Sequence, residues 1–295
     1  MAKENIADVI VQDGALGHPV VVWSKDVIRA EEDFIVEEVP VALVYNGVSQ
    51  VVMMVSPLAL EAFALGFSLT EGIIDRPDDI YTIDIVEQEN GIEIRLMISN
   101  RCFSQLKDRR RNLMGRSGCG ICGAESLEQV RLSSEVVSAE FRLSHAAINK
   151  ATSDLVAHQP LQELTGGVHG AAWCDDHGNI VLITEDVGRH NALDKLIGSL
   201  WPGSTGTEQS TINVLQQPGF LLISSRASYE IVQKAAKAGI AVVVAVSAPT
   251  SLAIEIANEK GITLVGFSRF DRHVVYTNCQ RLNADVNVHR AGEDV

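Results

Sequence analysis

The run Ile240–Val246 is unbroken apolar sequence, bounded by Gly239 before it and Ser247-Ala248-Pro249 after it. Such a run reads as a central strand covered on both faces. Its surroundings extend the pattern. Tyr229–Ala238 predicts a helix ended by Gly239, and about Leu252 to Glu259 predicts another, ended at Gly261. Phe220–Ser224 and Ile262–Phe267 predict flanking strands. Upstream, Ala171–Cys174 and Ile180–Thr184 pair around Asp175-Asp176-His177-Gly178, and a helix follows near Asn191–Leu200. Residues 202–211 are rich in Gly, Ser and Thr and read as a loop. Alternating strands and helices predict a layered α/β domain.

The N-terminal third has a different pattern. Val20–Ile28 and Phe34–Tyr45 are rich in β-branched residues, and Asn46-Gly47 is a two-residue hairpin signal before Val48–Val55. Ser56-Pro57 predicts an N-cap and first helical position for a helix Leu58–Glu71, with Leu60, Phe63, Ala64 and Phe67 on its apolar face and Gly72 after it. Strands near Tyr81–Glu87 and Ile92–Ile98 flank a second Asn-Gly turn. Residues 1–115 are therefore expected to form a smaller α+β domain ending in a basic linker, and residues 116–295 the α/β domain.

Charge is uneven along the chain. Residues 1–100 carry 18 acidic and 5 basic side chains, whereas 101–118 carry six basic and one acidic. The whole chain has a net charge of −14. That argues against a nucleic-acid binder, which presents a basic face, and against electrostatic docking on an anionic membrane. No apolar run approaches the roughly 20 residues needed to span a bilayer, and Lys3, Glu4 and Asp8 leave no room for a signal peptide's apolar stretch. A soluble cytoplasmic protein is the expectation. The basic segment is either a solvated surface or a patch that binds anions and stabilises thiolates.

That segment runs into Cys119-Gly120-Ile121-Cys122. Two thiols at this spacing can form a reversible disulfide, share a metal, or pass sulfur between them. Glycines at 118, 120 and 123 leave the sulfurs uncrowded, and Arg116 with Arg109–Arg111 favours the nucleophilic thiolate. A structural zinc site would need a second ligand pair, and Cys102, Cys174 and Cys279 do not supply one. Each of those three reads as a small buried hydrophobe. Ser126-Leu127-Glu128-Gln129 fits a capping box just after the pair.

Four further segments follow strands: Thr184–His190, Ser224–Ser228, Ser247–Ser251 and Gly266–Arg272. Ligands of open α/β sheets collect outside the carboxyl ends of strands. These segments hold hydroxyls, including Ser224, Ser225 and Ser228, and the arginines Arg189, Arg226, Arg269 and Arg272. Hydroxyls, arginine forks and helix N-termini suit phosphate or pyrophosphate. Simple helix capping by Asp186, Ser228 and Thr250 is the competing reading. Within Thr165–Gly170, His169 is either a general acid/base or a hydrogen-bonded structural residue, and His190 is open to the same two readings.

Together these motifs resemble the formate dehydrogenase accessory sulfurtransferase family (FdhD). The resemblance rests on Gly118–Gly123, Gly166–Ala171, the Glu185–Lys195 run Glu-Asp-Val-Gly-Arg-His-Asn-Ala-Leu-Asp-Lys, Ser224–Glu230, Ser247–Ala253, and Leu264–Phe267 through Val275–Thr277. It covers nearly the whole chain beyond the first 20 residues. It implies a cytidine-deaminase-like three-layer α/β/α C-terminal domain, a homodimer, and a sulfur carrier. A cysteine desulfurase would load a persulfide on Cys119, which Cys122 would accept, shield or resolve. The sulfur would pass to the molybdenum or tungsten of a bis-guanine-dinucleotide pterin cofactor, bound as substrate, before its insertion into the formate dehydrogenase catalytic subunit. Cofactor contacts are expected at Phe267, Ser268, Arg269, Phe270, Asp271 and Arg272, with His169, Arg189, Ser225 and Arg226 contributing. No structural metal is expected, since the cysteine pair has no second ligand pair, and deaminase chemistry is not expected either, because His169 is followed by Gly170 and Ala171 rather than by a deaminase's His-x-Glu. A non-catalytic chaperone that only holds the cofactor is the alternative.

Overall fold

The computed structural model describes residues 14–114, 136–201 and 217–283. Cys119, Cys122, the capping box at Ser126 and the loop at 202–211 lie outside the described residues.

The described residues open with a two-stranded ribbon, β1 (Ala15–Ser24) and β2 (Val27–Val36), paired antiparallel along its length. The expected strand Val20–Ile28 is thus interrupted: the chain reverses at Lys25-Asp26, with Lys25 at φ 52°. Next come β3 (Val39–Tyr45), β4 (Val48–Val55), helix α1 (Leu60–Thr70), β5 (Ile80–Gln88) and β6 (Gly91–Ile98). They form a four-stranded sheet in the order β4-β3-β6-β5. Asn46 and Gly47 both have positive φ, 47° and 79°, which is what a two-residue hairpin turn of the primed type demands.

Two expectations fail in this region. The basic end of the first domain does not begin as a linker, because Asn100–Met114 is a helix, α2. Its basic residues are good helix formers, and Cys102 and Leu106, four apart, bury one face in the core. Ser56 does not cap α1 either. Ala59, at φ 50°, precedes the helix, while the Ser56 backbone N–H and hydroxyl both donate to the buried carboxylate of Asp186, at 3.1 and 3.0 Å. The tertiary partner wins over the local cap.

The second unit contains α3 (His145–Asp154), α4 (Pro160–Thr165), β7 (His169–Asp175), β8 (Ile180–Asp186) and α5 (Arg189–Ser199). It continues with β9 (Gly219–Ile223), α6 (Tyr229–Lys237), β10 (Val242–Ala245), α7 (Ser251–Glu259), β11 (Thr263–Arg269) and β12 (Arg272–Val275). The six strands form one mixed sheet ordered β12-β11-β10-β9-β7-β8. Strands β9, β10 and β11 run parallel, and β7 is antiparallel to both β9 and β8. Every residue of β9 and β10 is buried. Successive side chains point to opposite faces, so both faces are covered. The helices α3 and α4 and the strand β12 are elements that the sequence pattern did not reveal.

The two units share a core. Helix α1 packs against α5, where the Ala62–Gly66 stretch meets Asp194–Gly198. A Cβ on Gly66 would overlap the Asp194 carbonyl oxygen, and one on Gly198 would overlap that of Ala62. No helix among the described residues is long and apolar enough to cross a membrane.

Candidate functional site

The strand directions bring the four loops to one edge of the sheet. The carboxyl ends of β8, β9, β10 and β11 lie there, beside the amino end of β7. Backbone hydrogen bonds stitch the edge together. Ser224 N–H donates to Gly170 O at 3.0 Å, Thr250 N–H to Ala227 O at 3.0 Å, and Phe267 N–H to Ser247 O at 3.1 Å. Gly170 N–H in turn donates to the Ser224 hydroxyl at 2.9 Å. Helices α5, α6 and α7 all begin at this edge, so three helix N-termini and their positive dipole ends face it.

His169 opens β7, opposite Asp186 in the register, and is half-buried. Burial, then the charge of Arg189, holds its pKa below the usual histidine value. His190 is held low by the same two causes in the same order, although Glu230 Oε2 lies 3.6 Å from its Nε2 and opposes them. Both shifts favour the neutral imidazole. Arg189 starts α5, and its Nε is buried with no hydrogen-bond partner among the described residues. A buried unpaired guanidinium N–H is costly. An anionic or acceptor-rich ligand at this edge would satisfy it, and so the residues present fit a phosphate-bearing substrate.

The hydroxyls divide between roles. Thr250 is a cap, accepting from Ala253 N–H at 3.3 Å. Ser225 is buried, donating to Arg226 O at 3.1 Å, and Arg226 itself is exposed. Ser228 stands at the N-cap of α6, its hydroxyl 3.5 Å from His190 Nε2. Asp186 caps nothing. It is fully buried, paired with Lys195 Nζ at 2.7 Å and accepting from Asn191 Nδ2 and Gly188 N–H.

The stretch Phe267–Arg272 also divides. Ser268 is fully buried, its hydroxyl 2.6 Å from that of Thr152 on α3. Arg269, Phe270, Asp271 and Arg272 are exposed on the β11–β12 hairpin. The pairing register shifts between Gly266 and Arg269, and Phe267 and Phe270 take φ of 51° and 48°. Two aromatic residues in the left-handed region mark strain of the kind that collects at functional sites. Phe270 is 84% exposed.

The cysteine-bearing segment is flanked elsewhere. On its N-terminal side Arg109 donates to Glu71 O at the end of α1. On its C-terminal side Val137 N–H donates to Lys260 O, just past α7, and Arg281 donates to Val137 O and to Gly261 O. Helix α7 begins at the loop edge and ends at the opposite one, so this flank is fixed at the far edge of the sheet. Of the other cysteines, Cys102 and Cys174 are buried, and burial pushes the Cys174 thiol up. Cys279 departs from expectation: it is exposed, in a short turn after Asn278, whose positive φ turns the chain outward.

Comparison with known proteins agrees with the motifs. A model of the FdhD/NarQ family matches residues 36–283. A protein named sulfur carrier protein FdhD from Cupriavidus necator is 48% identical over 266 residues, covering 90% of this chain and 89% of that one. Its namesake from Acinetobacter baylyi is 48% identical, covering 83% and 86%, and that from Burkholderia cenocepacia is 47% identical, covering 89% and 94%. A crystal structure described as that of a formate dehydrogenase accessory protein from Desulfotalea psychrophila superposes with a TM-score of 0.68 at 24% identity, covering 91% of this chain and 99% of the other. That likeness concerns the fold. The family match across most of the chain, and identities near one half with these relatives, make the chain a member of the FdhD/NarQ family.

Proposed function

We propose that this protein is a sulfur carrier in formate dehydrogenase maturation. In this reading the Cys119 thiolate attacks the outer sulfur of a cysteine desulfurase persulfide. The donor's S–S bond breaks, a new one forms on Cys119, and the desulfurase cysteine leaves as thiolate, so no outside oxidant is needed. Cys122 accepts, shields or resolves the persulfide. The acceptor is a molybdenum bis(molybdopterin guanine dinucleotide) cofactor held as substrate at the loop edge, on its way to the formate dehydrogenase catalytic subunit.

What carries the reading is the likeness over about nine-tenths of the chain to relatives named sulfur carriers. The geometry supports its ligand half. Three helix N-termini and the unpaired Arg189 Nε suit pyrophosphate, Arg226, Arg269 and Arg272 add exposed positive charge, and neutral His169 can donate one hydrogen bond without carrying charge. The metal and pterin supply the chemistry at the sulfur's destination, and the chain's task is to bind and orient. The mixed sheet covered on both faces supports a cytidine-deaminase-like second unit, and cytoplasmic location and a homodimer complete the proposal.

Formate dehydrogenase activity in cells that carry only a Cys119→Ala/Cys122→Ala variant tests the reading. Activity should fall to the level of cells lacking the protein, with the variant present at normal abundance. Undiminished activity would leave only the cofactor-holding chaperone.

A further inference from the structure

One face of α3 carries three polar side chains at helical spacing, His145, Asn149 and Thr152. All three bond to the β11–β12 hairpin. Thr152 meets Ser268 hydroxyl to hydroxyl at 2.6 Å. His145 Nδ1 lies 2.7 Å from His273 Nε2, and His273 Nδ1 lies 3.1 Å from Asn149 Oδ1. The two imidazole planes are within 14° of each other and their centroids 4.9 Å apart. That separation is the nitrogen–nitrogen distance plus a ring radius at each end, so the rings meet edge to edge, in the plane of a good hydrogen bond, rather than face to face. The proton positions follow. Asn149 Oδ1 only accepts, so His273 carries a proton on Nδ1; when the His273 ring is neutral, its Nε2 offers a lone pair and His145 Nδ1–H donates into it.

The hairpin needs such support. Strand β12 has four residues and lies at the sheet edge, and its pairing with β11 is broken by the register shift. Its tip holds Phe270 in the left-handed region with Arg269 and Arg272 beside it. A strained backbone persists only where its surroundings over-determine it.

We propose that His145 and Asn149 are positioning residues: acting through His273, they hold the hairpin so that Arg269 and Arg272 face the phosphate-bearing substrate. The proposal rests on the loop edge being the nucleotide site, and its test separates the two ideas. Guanosine diphosphate serves as the probe for binding, and hydrogen exchange of residues 267–275 serves as a readout needing no ligand. In the full-length protein His145→Ala and Asn149→Ala should each weaken binding about five- to tenfold, the loss of one hydrogen bond's worth of order, and speed exchange in 267–275 alone. His145→Asn places an amide nitrogen where Nδ1 stands and should restore both. Exchange and affinity unchanged in the Ala variants, or an Asn variant as defective as Ala, would overturn the proposal. If wild type itself binds no guanosine diphosphate, the nucleotide site falls, and the exchange result alone still decides whether the clamp exists.

Discussion

Lys195 is a buried charge. Its side chain is 1% exposed and its ammonium is held by Asp186 and by the Ser56 carbonyl and hydroxyl, at 2.7 to 2.9 Å. Burial pulls its pKa down while Asp186 pulls it back up. Desolvating two charges roughly cancels their attraction, but removing one partner strands the other. Lys195→Met should therefore destabilise by about 3–5 kcal/mol, measured by urea unfolding, and adding Asp186→Asn should recover part of the loss. A double variant no better than the single would contradict the pair's role. The histidines make a second residue-scale prediction. His169, His190 and His273 all have lowered pKa values, from burial first and then a neighbour, Arg189 for the first two and His145 for the third. Around pH 6.5 the unfolded chain then binds more protons than the folded one, so stability rises with pH there. The urea midpoint should fall as pH drops from about 7.5 through 6.5 and level off below the folded values, until carboxylates begin to titrate. A midpoint that is flat or rising on acidification across that window would refute it.

At the scale of elements, the α1–α5 crossing is set by two glycines. Glycine inside a helix costs about 0.5–1 kcal/mol relative to alanine, so propensity alone predicts that Gly66→Ala stabilises. Packing predicts the opposite, because the added methyl meets backbone that cannot rotate away. Overpacking of that kind costs about 1–3 kcal/mol, and it should win: the urea midpoint of Gly66→Ala falls. A rise would mean that the helices are free to separate. The elements also differ in how plainly the sequence announces them. Ile240–Val246 and the Asn-Gly hairpin were legible because apolar continuity and positive-φ chemistry are local signals. Helix α2 was hidden because its buried face is only Cys102, Phe103 and Leu106 within a basic run. Helix α3 was hidden because the face it turns to the β11–β12 hairpin is polar, its partners more than a hundred residues away. Ser56 looked like a cap because nothing nearby in sequence reveals Asp186.

Across the whole molecule, the sheet gathers at one edge what the sequence scatters over a hundred residues: His169, Arg189, Ser225, Arg226 and the Arg269–Arg272 hairpin. That convergence was legible as four loops after four strands, since parallel strands joined by helices must return to the same edge. Which hydroxyls face a ligand and which, like that of Ser268, are taken up inside was not legible, because it depends on contacts with α3. The acidity of the chain is likewise a sum that conceals local balance. The N-terminal unit supplies most of it, while the edge carries arginines and an unpaired guanidinium N–H. Mass spectrometry decides whether the Cys119–Cys122 pair carries sulfur. After incubation with a cysteine desulfurase and free cysteine, the peptide spanning Cys119 and Cys122 should gain the mass of one sulfur atom, removable by a thiol reductant and absent from the Cys119→Ala/Cys122→Ala variant. No gain in the wild-type protein, or an equal gain in the variant, would rule out this pair as the sulfur carrier.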